Sequence, residues 1–132
     1  MPLKLLRNKT YRVLVDDTGL ILAEKCSLAA DFVSRLRGLM FRQTFDDGEA
    51  LLIAPCNSVH TFFMRFPIDL VFINRDGIAV GVKRNMTPGK MISPISDAWA
   101  TLELKGGFIE SVAGQDDTIE GKTLRFEVAE GI

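Results

Sequence analysis

Short segments in which apolar and polar residues alternate, each ended by turn residues, limit the possible folds of this chain more than any other feature. In Tyr11–Val15, residues Tyr11, Val13 and Val15 fall on one face, which predicts a β-strand. The run Asp16-Asp17-Thr18-Gly19 supplies turn residues, and Leu20–Lys25 follows as a second strand. The chain therefore begins with a predicted β-hairpin.

Similar segments recur to the end of the chain. Predicted strands cover Glu49–Ala54, Ile68–Asn74, Ile78–Arg84, Ala98–Lys105 and Thr123–Val128. The pair Asp76-Gly77 predicts a hairpin turn, because glycine adopts positive φ without a steric cost. In Ala98–Lys105 the alternation predicts that Thr101 and Glu103 face outward.

Helical signals are few. Leu28, Phe32 and Leu36 recur at steps of four, so a short helix is predicted over 28–36, with Gly38 at its C-terminal end. A second helical turn is predicted within Gly107–Ala113, and 85–97 is predicted to be a loop. About seven strands with one or two short helices predict a mostly-β fold, a β-sandwich or an open barrel. The length of 132 residues and the lack of a linker predict a single domain over 1–132.

Charge and composition exclude some classes of function. The chain has 16 Lys plus Arg against 17 Asp plus Glu, a net charge of −1, so general nucleic-acid binding is not expected. No apolar run reaches the ~18–20 residues of a membrane-spanning helix, and no signal peptide is recognised, so we expect no membrane partner and a cytoplasmic protein, unless a leader is removed. Glycine-rich phosphate loops are also missing, and we expect no cofactor.

The stretch CNSVHTFFMRFPID, residues 56–69, holds the densest set of reactive side chains. One hypothesis is a Cys56 nucleophile activated by His60, with Asp69 orienting the imidazole. These three residues could also bind a metal, but with one His and two Cys in the chain the ligands are too few, and no metal site is predicted. The other cysteine, Cys26, is predicted to be a buried, unreactive thiol.

A polar pocket is the third hypothesis. Guanidinium groups suit carboxylates and phosphates, so Arg37, Arg42 and Arg65 could converge on an anionic ligand if their two segments meet in the fold. Asp69 begins an apolar strand, so we expect it to be buried and paired with Arg37, Arg65 or backbone amides. The predicted ligand-binding set is Arg37, Asn57, Ser58, His60, Arg65 and Asp69.

Two blocks resemble a known family. Together, Arg37-Gly38-Leu39-Met40 and Phe63-Met64-Arg65 with Pro67-Ile68-Asp69 are similar to the signature of an uncharacterised bacterial and archaeal family, domain of unknown function 192. The resemblance extends over residues 25–128. It implies a compact β-sandwich-like domain of jelly-roll type, and it implies no reaction.

Three functions remain open from the sequence. The first is a small binding or accessory protein with a polar pocket for a small polar or anionic ligand or a short protein segment. The second is a small hydrolase or transferase that uses Cys56 and His60. The third is a structural partner in a larger assembly, which would use exposed edge strands.

Overall fold

The computed structural model describes residues 3–6, 9–30, 44–114 and 118–130. Within these residues nine strands and one short helix, α1, follow one another. Their bounds are β1 Thr10–Val15, β2 Ile21–Ala29, β3 Glu49–Ile53, β4 Val59–His60, β5 Ile68–Ile73, β6 Ala79–Met86, β7 Met91–Ile92, β8 Ala100–Lys105, α1 Phe108–Ala113 and β9 Leu124–Glu130.

Seven of the strands form one mixed sheet in the order β6-β5-β8-β3-β2-β1-β9. The pair β2–β3 is parallel, with Cys26 opposite Ala50, and the other neighbours are antiparallel. Strands β4 and β7 form a separate two-stranded sheet. The large sheet ends at β6 and β9 and does not close into a barrel. Strands dominate the structure, so the mostly-β fold predicted from the sequence is confirmed.

Apolar layers cover one face of the large sheet and, around β5, the other face as well. On one face, side chains such as Val71 and Leu102 pack in a cluster that also contains Ile109 of α1. On the other face, Leu70 and Phe72 pack with Val59 of β4 and Ile92 of β7. Because both faces are covered, all six residues of β5 are buried, which explains its nearly uninterrupted apolar sequence.

Both predicted hairpins are present. Strands β1 and β2 pair antiparallel, as do β5 and β6. In the second turn Gly77 has φ of 84°, and the Asn74 side chain accepts hydrogen bonds from the backbone N–H groups of Asp76 (2.9 Å) and Ile78 (3.0 Å). The turn therefore uses the left-handed conformation that its glycine was predicted to supply.

Some local predictions were wrong. Leu28 and Ala29 belong to β2 rather than to a helix, and residues 31–36 of that predicted helix lie outside the described residues. The predicted loop 85–97 contains the end of β6 and the whole of β7. Thr101 and Glu103 do not face solvent, because the second apolar layer covers their side of β8. Period-two alternation identified the strand, but it could not show that both of its faces are buried.

Candidate functional site

The stretch 56–66 folds over the second apolar layer and is held there by β7. Val59 lies opposite Ile92 and His60 lies opposite Met91 in the β4–β7 ladder. Val59 and Ile92 are buried, so the alternation of a strand leaves His60 and Met91 at the surface. The small sheet thus fixes which side chains of this stretch reach solvent.

Thr61 is the main connection between the two segments. Its side chain is fully buried, and its hydroxyl donates to the Thr87 carbonyl (2.8 Å) and accepts from the Lys90 N–H (2.8 Å). Its backbone N–H donates to the Lys90 carbonyl (2.8 Å), and its carbonyl accepts from the N–H groups of Gly89 (3.0 Å) and Met64 (3.3 Å). One buried residue therefore orders the loops on both sides of it.

The two connected segments carry large exposed apolar side chains. Met91 is 73% exposed, Phe63 is 64% exposed and Phe62 is 38% exposed. The rings of His60 and Phe62 stack, with centroids 5.3 Å apart and an interplanar angle of 23°. Arg65 and Lys90 are exposed on the same two segments. We define the β4–β7 face as His60, Phe62, Phe63, Arg65, Lys90 and Met91.

The other predicted polar residues of this stretch also lie at the surface. Asn57 and Ser58 are exposed, and their backbone carbonyls accept hydrogen bonds from the Ile95 N–H (2.9 Å) and the Cys56 thiol (3.0 Å). Arg37 and Arg42, predicted to meet them, lie outside the described residues. Of the predicted ligand-binding set, Asn57, Ser58, His60 and Arg65 are therefore solvent-facing.

Asp69, the remaining predicted site residue, lies inside the protein. Its side chain is 0% exposed, and its carboxylate accepts hydrogen bonds from the N–H groups of Asn85 (2.6 Å), Gly107 (3.2 Å) and Ile109 (2.9 Å). The partners are backbone amides, one of the expected possibilities. Asp69 caps the first turn of α1 and ties the end of β6 to it, which is a structural role.

The two cysteines occupy different environments. Cys26 is 1% exposed, and burial raises the pKa of its thiol to about 12, as expected of an unreactive cysteine. Cys56 is half-buried and its Sγ donates to the Ser58 carbonyl. Within the described part of the chain no hydrogen bond joins Cys56 to His60, whose ring stacks on Phe62 instead. This arrangement does not show the thiol–imidazole contact that a nucleophile requires.

A cleft of about 280 Å³ lies beside this region. Its lining residues are Thr44, Phe45, Asp46, Phe66, Pro67, Lys105 and Gly106. The rings of Phe45 and Phe66 are 6.0 Å apart, and Lys105 forms an exposed ion pair with Asp47 at 3.5 Å. Among the described residues of the predicted ligand-binding set, none lines this cleft.

Glu103 carries a buried carboxyl, although the alternation of residues in β8 predicted that it faces outward. It is 3% exposed and lies between Leu51 of β3 and Leu70 of β5. Its Oε2 atom has no hydrogen-bond partner in the described structure, and burial raises the pKa of the carboxyl to about 8. Desolvation without a compensating hydrogen bond disfavours the charged form.

Neither a metal-ligand cluster nor a membrane-spanning helix occurs within the described ranges. No three His, Cys, Asp or Glu side chains there come together as a metal site would require. None of the helical structure among these residues is long and apolar enough to cross a membrane.

A family model matches residues 13–121, which include the described β4–β7 face and the large sheet except the start of β1 and the whole of β9. The chain belongs to the DUF192 family. The family is described as uncharacterized ACR. Its model confirms the resemblance seen in the two sequence blocks.

Two crystal structures share the DUF192 fold. One, from Sinorhizobium meliloti 1021, carries the provisional name of transcription regulator; it is 22% identical, with a TM-score of 0.73 over 93% of this chain and 98% of that one. The other is a protein of unknown function from Novosphingobium aromaticivorans DSM 12444; it is 20% identical, with a TM-score of 0.72 over 88% of this chain and 83% of that one. A comparison with curated proteins gave no match. At these identities the likeness establishes the fold alone.

Sequence reasoning missed five residues of this region: Thr61 in the interior, and Phe62, Phe63, Lys90 and Met91 at the surface. Lys90 and Met91 were missed because β7 has only two residues and lies within a segment rich in proline and glycine. The available signal was Pro88-Gly89, which predicts a turn, followed by the apolar pair Met91-Ile92. A two-residue strand gives too little alternation for recognition from sequence.

Replacing Thr61 by Val is expected to lower the free energy of unfolding by about 1–3 kcal/mol, because the Lys90 N–H and the Thr87 carbonyl lose their partner. Thr61→Ser is the matched control, since it keeps the hydroxyl. Hydrogen exchange at the Lys90 amide distinguishes the two: it should accelerate in the Val variant and remain slow in the Ser variant. Equal protection in both variants would show that Thr61 does not order β7.

Proposed function

We propose that this chain is a small accessory protein that binds a short segment of a partner protein through the β4–β7 face. The observation that carries the proposal is the exposure of Phe62, Phe63 and Met91 on one pair of hydrogen-bonded segments. Adjacent exposed apolar side chains with charged neighbours are typical of interaction surfaces. Aromatic residues and Met are also enriched in protein interfaces.

The rigid support beneath the face favours binding. Thr61 hydrogen bonds and the burial of Val59, Met64 and Ile92 hold the two segments in place. A surface that is ordered before it meets its partner loses less conformational entropy on binding. The exposed side chains are therefore presented from an ordered backbone.

The backbone at Phe63 is a second reason for a functional interpretation. Its φ is 64°, in the left-handed region that aromatic residues rarely adopt. Such a conformation costs of order 1–3 kcal/mol and occurs often at functional sites. Here it accompanies a ring that is 64% exposed.

The geometry supports this binding function better than the alternatives. A small-ligand pocket made from the predicted set would need the Asp69 carboxylate, which three backbone N–H groups already occupy. The hydrolase or transferase hypothesis would need Cys56 in contact with His60, but the two side chains have other partners.

We further propose a cytoplasmic location, which the two free thiols favour.

Display selection of short peptides against the purified protein tests the proposal. We expect the selection to enrich peptides that bind the protein. Their affinity should fall about tenfold or more when Phe63 and Met91 are both replaced by Ser, because each substitution removes an apolar anchor. Val128→Ser on β9 is the control, since Val128 is 55% exposed but lies on another strand, and it should leave affinity unchanged. A selection without any binding peptide would refute the proposal, as would peptides that bind the double variant as well as the original protein.

A further inference from the structure

We propose that the partner segment bound at the β4–β7 face is acidic, with carboxylates placed beside one or two apolar anchors. This inference rests on the proposed function and adds the chemistry of the partner. It follows from the distribution of charge around the face.

The two segments that form the face contain no carboxylate. No Asp or Glu occurs in residues 50–68 or 77–96, although the whole chain has 17 such residues among 132. Asp69, which follows the first of these segments, is fully buried and bonded to backbone amides. The segments therefore present cations to the solvent without acidic side chains of their own.

The two cations of the face are also uncompensated. Arg65 and Lys90 are exposed, and neither forms an ion pair with any residue that the structure describes. Cations at the other end of the sheet differ: Arg125 pairs with Asp16 at 2.7 Å, and Lys122 pairs with Asp17 at 2.7 Å. Positive charge is thus neutralised within the protein near β9 and left available at the β4–β7 face.

Acidic peptide chemistry fits this surface better than other anions. Carboxylates form bidentate hydrogen bonds with a guanidinium, and apolar anchors can pack on Phe62, Phe63 and Met91. Two cations give only weak attraction to an anionic lipid surface, about 1 kcal/mol for each. They also provide few phosphate contacts for nucleic acid, whose affinity depends on many such contacts.

Three synthetic peptides with identical apolar anchors test the inference by fluorescence anisotropy. Their flanking positions carry Asp and Glu in the first, Asn and Gln in the second, and Lys in the third. We expect the acidic peptide to bind about tenfold more tightly than the neutral one, with an affinity that falls as salt is added. The double variant Arg65→Glu with Lys90→Glu should reverse the order and prefer the Lys peptide.

The double variant Lys4→Glu with Lys25→Glu is the matched control. It makes the same change in net charge at exposed lysines outside the face, and it should leave the order of the three peptides unchanged. Circular dichroism and thermal melting establish that each variant is folded before binding is measured. An unchanged order in the control together with reversal in the face variant supports the acidic partner.

The remaining outcomes overturn one proposal or both. If none of the peptides binds and display selection also fails, the proposed function is wrong. If all three bind equally, and binding still depends on Phe63, the binding function holds and the acidic preference is wrong. If vesicles of phosphatidylserine and phosphatidylcholine bind the protein through Arg65 and Lys90 while the peptides do not, the ligand is a lipid surface and this inference fails.

Discussion

Replacing Asp69 by Asn is expected to lower the free energy of unfolding by about 2–4 kcal/mol. The carboxylate accepts three backbone N–H groups in a fully buried position. An Asn side chain has one oxygen, and its NH₂ group would face N–H donors where the second carboxylate oxygen now lies. Denaturant unfolding at neutral pH measures the loss.

Glu120→Gln is the control for this experiment, because Glu120 is exposed and the change removes the same charge. We expect an effect within about 0.5 kcal/mol, as is usual for surface substitutions. Equal effects of Asp69→Asn and Glu120→Gln would contradict the role of Asp69 as the cap of α1. Hydrogen exchange at Ile109 adds a local readout, since its amide loses its acceptor only in the Asp69 variant.

The second large effect is a pH dependence that arises from Glu103. Burial raises the pKa of its carboxyl from the ordinary value of 4.5 to about 8. Between these values the unfolded chain releases a proton that the folded protein keeps, so a rise in pH favours unfolding. Stability from this residue is therefore fully present below about pH 4.5 and is lost as pH rises toward 8. The loss is of the order of a few kcal/mol, since one pKa unit corresponds to about 1.4 kcal/mol.

Glu103→Gln removes this titration, and Glu103→Leu also removes the unsatisfied polar atom between Leu51 and Leu70. In denaturant unfolding from pH 5 to pH 8, both variants should gain stability relative to the original protein as pH rises. Glu120→Gln again serves as the control and should follow the original protein. A constant difference between Glu103→Gln and the original protein across this range would show that Glu103 does not titrate as its burial implies.

The strands of the large sheet were predictable because their physical signals are local. Alternation in Tyr11–Val15, the turn at Asp76-Gly77 and the apolar run after Asp69 each depend on neighbouring residues. The burial of Asp69 was also predictable, since it shares a strand face with Val71 and Ile73. Its backbone partners come from β6 and α1, so the sequence could only leave them among several possibilities.

The candidate site depended on information that the sequence does not display locally. Strands β4 and β7 pack on the face of the large sheet that carries Thr101 and Glu103, and so bury both residues. The alternation of apolar and polar residues in β8 had predicted that these two side chains face solvent. The same packing exposed Met91 and joined it to His60 across two strands of two residues each. Contacts between segments far apart in sequence determine which of these side chains are buried and which are exposed. Strands of two residues are too short for such contacts to be predicted from sequence.

The pairing of β1 with β9 has a consequence for synthesis of the protein. The outer neighbour of β1 is β9, Leu124–Glu130, which follows all the other described strands of the sheet along the chain. While the ribosome is still making the protein, β1 therefore lacks one of its two hydrogen-bonded neighbours and presents an open strand edge to other nascent chains. A stop codon placed just before Leu124 should leave that edge permanently open and convert this chain into an aggregating one.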